Sequence, residues 1–361
     1  MENINSYIIS RKAKRIGFFN PYNELDALVF ARVSYLPLYR IKMSKKETIG
    51  SICFKLSETL KKEDYAWPDD YDFVNNLKDA RRFARKRVSN YVRNNNRSLE
   101  KQFSAITIHV NHFTMYLSFF GTDETITGWK EDFNLAFLDH IPAQTAASKY
   151  FKTVAKKYPY KKVYLGGHSK GGNLAIYASV VAPDALQKRI TTVYNYDGPG
   201  LRRGTMALDI GSEKVIGKIR SYIPQGSVIG RLFEHNEKVK VVESTAKSLY
   251  QHDIYSWKIS GTKFVKAKST KQSDLTDRTI TKWLESATKE ERKIFINAMF
   301  KALEDADVNN PLELKAKWVK AMPTMLKSFV KLPKEERKVV IDVWKKLGAS
   351  FLKARKEENG E

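Results

Sequence analysis

The stretch from Lys161 to Val180, KKVYLGGHSKGGNLAIYASV, constrains this chain more than any other. Val163, Tyr164 and Leu165 form a short apolar run of strand-forming residues, which Gly166 and Gly167 break. Beyond them, Leu174, Ala175, Tyr177 and Ala178 recur at helical spacing. The pattern predicts strand, tight turn, helix. The turn holds Gly167-His168-Ser169-Lys170-Gly171, a G-x-S-x-G match. A serine on such a turn has a strained backbone and an exposed hydroxyl. Glycines two residues to either side let strand and helix approach closely. The helix N-terminus behind Ser169 aims backbone N–H groups at developing negative charge. Neither a P-loop (G-x-x-x-x-G-K-[ST]) nor a G-x-G-x-x-G spacing occurs here.

Around this unit, strands and helices alternate. Phe103 to Phe120 reads as two strands with a turn near Asn111-His112. Trp129 to Phe137 reads as a helical or lid-like segment, and Ala143 to Tyr158 as a helix. Ile190–Tyr196, Lys218–Ile223 and Val239–Glu243 read as strands. The alternation implies an α/β fold with a mainly parallel sheet covered on both faces. Upstream, three helices are expected. Asn23 to Leu36 is one, with Asp26 as a first-turn dipole partner. A second, within Ser44 to Lys62, follows a cap-like Ser44 and Glu47. The third spans Asp69 to Asn94, with Arg81, Arg82, Arg85, Lys86 and Arg87 on a solvated face. From about Leu275 only helical patterns remain: Phe295 to Leu303, Leu314 to Met325 with a bend at Pro323, and Val339 to Leu347. Two parts are expected, an α/β domain over 1–270 with an N-terminal helical segment, and a helical C-terminal extension over 271–361.

The 361 residues carry a formal net charge of +24. That balance favours polyanions. No base-reading motif accompanies it, so no specific nucleic-acid partner is expected, whereas weak contact with an anionic membrane surface is compatible with it. The single cysteine, Cys53, excludes an internal disulfide framework and fits a reducing, cytoplasmic setting. The start, MENINSYIISRKAKR, has no apolar core of signal-peptide length. His109 and His112 lack a Cys or carboxylate cluster beside them. No metal site and no cofactor is expected.

A serine hydroxyl needs a base. His168 is adjacent to Ser169, and neighbours on a sharp turn point apart. His140 precedes the serine. Catalytic groups of such a sheet sit at strand C-terminal ends, in the chain order serine, acid, histidine. His252 follows the last core strand, whereas His235 precedes it, so His252 is the expected base. The oxyanion donors expected are the backbone N–H of Lys170 and, after Gly121, Thr122.

Phe119-Phe120-Gly121-Thr122, Trp129, Asp132, GGHSKGGNLA and YNYDGPG together resemble the α/β-hydrolase superfamily branch containing class 3 lipases. The resemblance is greatest to bacterial proteins of unknown function related to those lipases, and it spans roughly Phe18 to Trp257. It implies an α/β-hydrolase fold with Ser169 as nucleophile, Thr122 as oxyanion donor and His252 as base. Two positions depart from the lipases: Phe120 stands where they usually have arginine, and Ser227 where they carry the catalytic aspartate.

The acid must therefore come from elsewhere. Asp197 ends the strand after the serine unit, and Gly198-Pro199-Gly200 form a rigid turn behind it. Asp197 is the expected acid, with Ser227 as a supporting hydrogen-bond partner. The competing role for Asp197 is to cap its own turn. Glu234 sits deeper in a connection, and Asp253 is too close in sequence to His252. The expected function is a lipase- or esterase-like serine hydrolase acting on a small-molecule or lipid ester. The alternatives are a non-catalytic hydrolase-like binding module and a basic protein that binds anionic lipid or nucleic acid.

Overall fold

The computed structural model describes residues 2–96, 98, 100–122, 126–202, 204–205, 213–308 and 311–359. Among them, seven strands form one sheet in sequential order: β1 (Val88–Asn96), β2 (Lys101–Ile108), β3 (Thr114–Phe119), β4 (Lys162–His168), β5 (Ile190–Tyr196), β6 (Ile219–Pro224) and β7 (Val239–Val242). β2 and β3 are antiparallel, and β3 through β7 run parallel. This is the α/β-hydrolase fold. The parallel strands bring their C-terminal ends to one edge, where Phe119 pairs with Gly167, His168 with Tyr196 and Tyr196 with Tyr222.

Upstream lie α1 (Ile4–Arg11), α2 (Glu24–Val33), α3 (Ile49–Thr59) and α4 (Asp69–Leu77). α2 is buried on nearly every side, because it packs against β3, β4 and β5. Asn23 caps it, and Asp26 completes the capping box. Asp26 is more than a dipole partner: it also forms a fully buried ion pair with Arg82, with both N–O contacts at 2.6 Å. Arg82 is therefore inside the protein, not on a solvated face.

Two expected helices differ. The helix expected over Asp69 to Asn94 ends at Leu77, and Val88 onward is strand β1. The charge pattern suggested a helix, but the β-branched and aromatic Val88, Tyr91 and Val92 belong to the sheet. The second expected helix starts at Ile49 and is capped by Thr48, with Ser51 completing its box. Glu47 does accept from the Ser44 N–H at 2.8 Å, but Ser44 lies five residues before the helix starts, and the Glu47 carboxylate pairs with Lys55.

The chain divides into two compact units. The first holds residues 1–94, 103–121 and 143–270, including α6 (Pro142–Lys157, from Ala143) and α7 (Lys170–Val180). The second takes in 271–361, and also 95–102 and 122–142 with α5 (Ile126–Asn134). A division at 270 alone misses those two earlier segments. Four helices follow Thr270 among the described residues: Lys271–Ser286, Lys289–Asp305, Pro311–Lys331, with Pro323 inside it, and Lys334–Asn359. The side chains of Leu314 and Trp318 lie outside the described residues. Within the second unit Phe133 of α5 meets Phe300, ring centroids 5.4 Å apart. Among the described residues no helix is long and apolar enough to cross a membrane.

Candidate active site at the strand ends

β4 ends at His168 and α7 begins at Lys170, so Ser169 alone makes the turn. Its backbone lies at φ 56° and ψ −136°, which costs on the order of 1–3 kcal/mol for a residue with a side chain. Its neighbours hold it there. The Ser169 N–H donates to the Tyr196 carbonyl at 2.9 Å, and the Ser169 carbonyl accepts from the Gly172 N–H at 2.9 Å. The flanking glycines are needed for close approach. A Cβ on Gly167 would lie 2.4 Å from the Gly171 carbonyl carbon, and one on Gly171 would lie 2.2 Å from the Phe119 carbonyl oxygen. The ends of β3 and β4 and the first turn of α7 thus converge on the serine.

Asp197 repeats the device one strand over. It follows β5 at φ 50°, and its N–H donates to the Tyr222 carbonyl at 2.8 Å. The turn is capped by Asn195, not by Asp197. Asn195 Oδ1 accepts from the Gly198 N–H at 2.9 Å, and its Nδ2 donates to the Gly198 carbonyl at 3.0 Å. The Asp197 carboxylate is left for other partners. Oδ1 accepts from Ser227 Oγ at 2.5 Å, and that Oγ accepts from the Gly230 N–H at 3.0 Å. Oδ2 lies 2.6 Å from His252 Nδ1. The carboxylate is buried, while the imidazole keeps 28% exposure. A carboxylate oxygen accepts, so Nδ1 donates to it, and in the neutral tautomer that donates there Nε2 is the acceptor.

His168, set aside in the sequence, has a structural task. Its Nε2 donates to the His252 carbonyl at 2.8 Å, and the two rings lie 4.4 Å apart. Burial, then the neighbouring His252 and Arg32 charges, push its pKa well below the ordinary histidine value. It is a neutral support for the loop carrying His252. Behind it, Tyr35 Oη donates to the His168 carbonyl at 3.0 Å. Arg32 lies under the rings of Tyr35, Trp67 and Tyr255, and it pairs bidentately with Asp70 at 2.6 Å. Only the adjacency of His168 to Ser169 was visible in the sequence, and nothing local marked Arg32 or Asp70.

The other residues weighed from sequence are engaged elsewhere. His235 Nδ1 lies 2.8 Å from Glu237. Glu234 forms a bridge with Leu201. Asp253 Oδ1 accepts from the Tyr255 N–H at 3.0 Å, capping the next turn. Lys170 is the first residue of α7, so its N–H belongs to the donors at the helix N-terminus. Gly121 lies at the end of the first unit, against Tyr35 and the His168 carbonyl. Thr122 begins the second unit, where its hydroxyl donates to Asp132.

Residues 77–301 match the Mbeg1-like family, and that is more than half of the chain. The chain belongs to the Mbeg1-like family. Solved structures similar to this family member include lipases. The Lip2 lipase of Yarrowia lipolytica is 13% identical, covering 44% of this chain and 66% of that one, with a TM-score of 0.32. This chain therefore spans slightly less than two thirds of Lip2. Lipase II of Rhizopus niveus is 15% identical, covering 48% and 70%, with a TM-score of 0.33. The Rhizomucor miehei lipase in its propeptide complex is 12% identical, covering 67% and 81%, with a TM-score of 0.35. No curated protein matches the chain.

Proposed function

We propose that this Mbeg1-like chain is a serine hydrolase acting on carboxylic esters, acyl lipids among them, in a cytoplasmic setting. The observation that carries the reading is the 2.6 Å contact between His252 Nδ1 and Asp197 Oδ2, one strand over from a serine on a strained strand-to-helix turn. In this reading Ser169 Oγ attacks the ester carbonyl while His252 Nε2 takes its proton. Asp197 holds Nδ1 and balances the imidazolium. The backbone N–H of Lys170, at the start of α7, stabilises the oxyanion. The tetrahedral intermediate collapses, His252 returns the proton to the leaving alkoxide, and an acyl-serine remains. Water, deprotonated by His252, attacks the acyl carbonyl, and the carboxylic acid leaves as Ser169 regains its proton.

Ser227 supports the same reading: its hydroxyl donates to Asp197, so the serine found where the lipases carry aspartate serves the carboxylate from the next strand. The test is covalent labelling of the purified protein with a fluorophosphonate. Wild type is expected to label. Ser169→Ala should keep its circular dichroism and lose the label. Labelling that persists in Ser169→Ala, or a folded wild-type protein that never labels, overturns the assignment.

A further inference from the structure

Between α1 and α2 the chain makes a tight turn that presents two aromatic side chains to solvent. Gly17 and Asn20 exchange backbone hydrogen bonds at 3.1 and 3.2 Å, which leaves Phe18 and Phe19 at the tip. Phe18 is 93% exposed and Phe19 90%, more than any other large hydrophobic side chain among the described residues. Their rings meet edge to face at 5.3 Å. An exposed apolar pair of this kind marks an interaction site.

The tip is preformed. The buried Arg82 guanidinium donates to the Lys14 carbonyl and to the Pro21 carbonyl, each at 3.0 Å, while Asp26 holds the same guanidinium. Both flanks of the turn are thus fastened to the core. The approach to the tip is basic: Arg11, Lys12, Lys14 and Arg15 precede it, and no Asp or Glu occurs between Asn3 and Asn23. Lys12 lies 3.8 Å from Asp79, a loose and exposed pair. The segment carrying Arg82 also exposes Arg81 and Arg85.

We propose that this chain docks on anionic lipid bilayers through Phe18 and Phe19, with the surrounding cations on the headgroups. The chemistry is complementary on both counts: rings enter the acyl boundary, and Lys and Arg side chains stay at the charged interface. A purely apolar protein groove would accept the rings but gain nothing from the cations.

The tip lies away from Ser169. Tyr22, just after it, meets Tyr164 early in β4, ring centroids 4.7 Å apart. At the other end of α2, Tyr35 reaches the His168 carbonyl. The ten residues of α2 put about 15 Å between those ends. Docking therefore tethers the first unit by the end opposite its candidate site. It does not rest on the catalytic reading.

The test is co-sedimentation of the full chain with phosphatidylcholine vesicles, with and without phosphatidylglycerol. Binding is expected to the anionic vesicles, weak to the neutral ones, and reduced by salt. The Phe18→Ser/Phe19→Ser double variant changes only exposed side chains, so it should fold. It should lower the partition coefficient at least about tenfold and leave hydrolysis of a water-soluble short-chain ester unchanged. A Phe18→Trp variant should show blue-shifted emission with anionic vesicles, and Ser169→Ala should bind as wild type does. Wild type that ignores the anionic vesicles, a double variant that binds equally well, or an unshifted emission of Phe18→Trp overturns the proposal.

Discussion

His252 Nδ1 lies 2.6 Å from Asp197 Oδ2, and Asp197 reaches it from a left-handed backbone that Asn195 clamps on the Gly198 side. The contact depends on a strand end, a strained φ and a neighbouring amide acting together. It does not depend on proximity in sequence, since Asp253 is adjacent to His252 and caps a different turn. Asparagine tolerates positive φ, so Asp197→Asn tests the charge with little disturbance of the backbone. The fold should survive and turnover should fall on the order of 10⁴-fold, read as kcat on a soluble ester. Near-normal turnover, with a large loss in Glu234→Gln instead, would move the acid to Glu234.

Ser227 is tied to Asp197 on one side and to the Gly230 N–H on the other. Ser227→Ala leaves a buried N–H and a carboxylate oxygen each short of a partner, at a cost of about 1–3 kcal/mol in stability. Turnover should drop far less than in Asp197→Asn, because the imidazole keeps its carboxylate. Urea denaturation and kcat on the same preparation separate the two effects. Equal losses of turnover in both variants would refute the supporting role.

Much of this architecture was legible in the chain. Val163 to Val180 announces strand, turn and helix because each local preference agrees with its neighbours, and the later strands end within a residue or so of where their apolar runs end. The helix ends near the N-terminus were less legible. Ser44 and Glu47 look like a cap, yet Thr48 and Ser51 form the box, since both pairs satisfy the same local pattern. Arg82 reads as a surface cation, and nothing local marks Arg32 as buried. Their burial follows from Asp70 and Asp26, which are 38 and 56 residues away, and no periodicity links such partners. The candidate acid was harder again. Asp197 was one of several carboxylates in the right half of the chain, and the choice turned on strand ends.

The Arg32–Asp70 pair gives a stability prediction. Its side chains are 1% and 3% exposed, and Tyr255 Oη also donates to Asp70 at 2.6 Å. Asp70→Asn keeps the shape and an acceptor for Tyr255 but strands a buried guanidinium. A destabilisation of roughly 3–5 kcal/mol is expected, measured as the shift in the urea midpoint at constant slope. A loss below about 1 kcal/mol would mean that the three rings stacked on Arg32 carry its charge without Asp70.

The last prediction concerns acid. Burial, then the charges of His252 and Arg32, hold His168 well below the ordinary histidine pKa. Burial, then Arg87, Lys161 and Lys157, bring His109 down to about 4. For a histidine with a depressed folded-state pKa, the unfolded chain takes up the proton first. Stability contributed by the neutral ring is therefore complete above about pH 6.5 and declines as pH falls below it, by about 1.4 kcal/mol per pH unit for each such residue. Asp253, whose pKa is raised by burial, works in the opposite direction, so the measurement belongs in the window just below about pH 6.5, nearest the ordinary histidine value and farthest from the carboxylate range. Urea unfolding across that window should show stability falling with pH. His168→Gln, whose amide can still donate to the His252 carbonyl, should make that fall shallower. An unchanged slope in His168→Gln would show that His168 does not enter the folded protein as a neutral, protected ring.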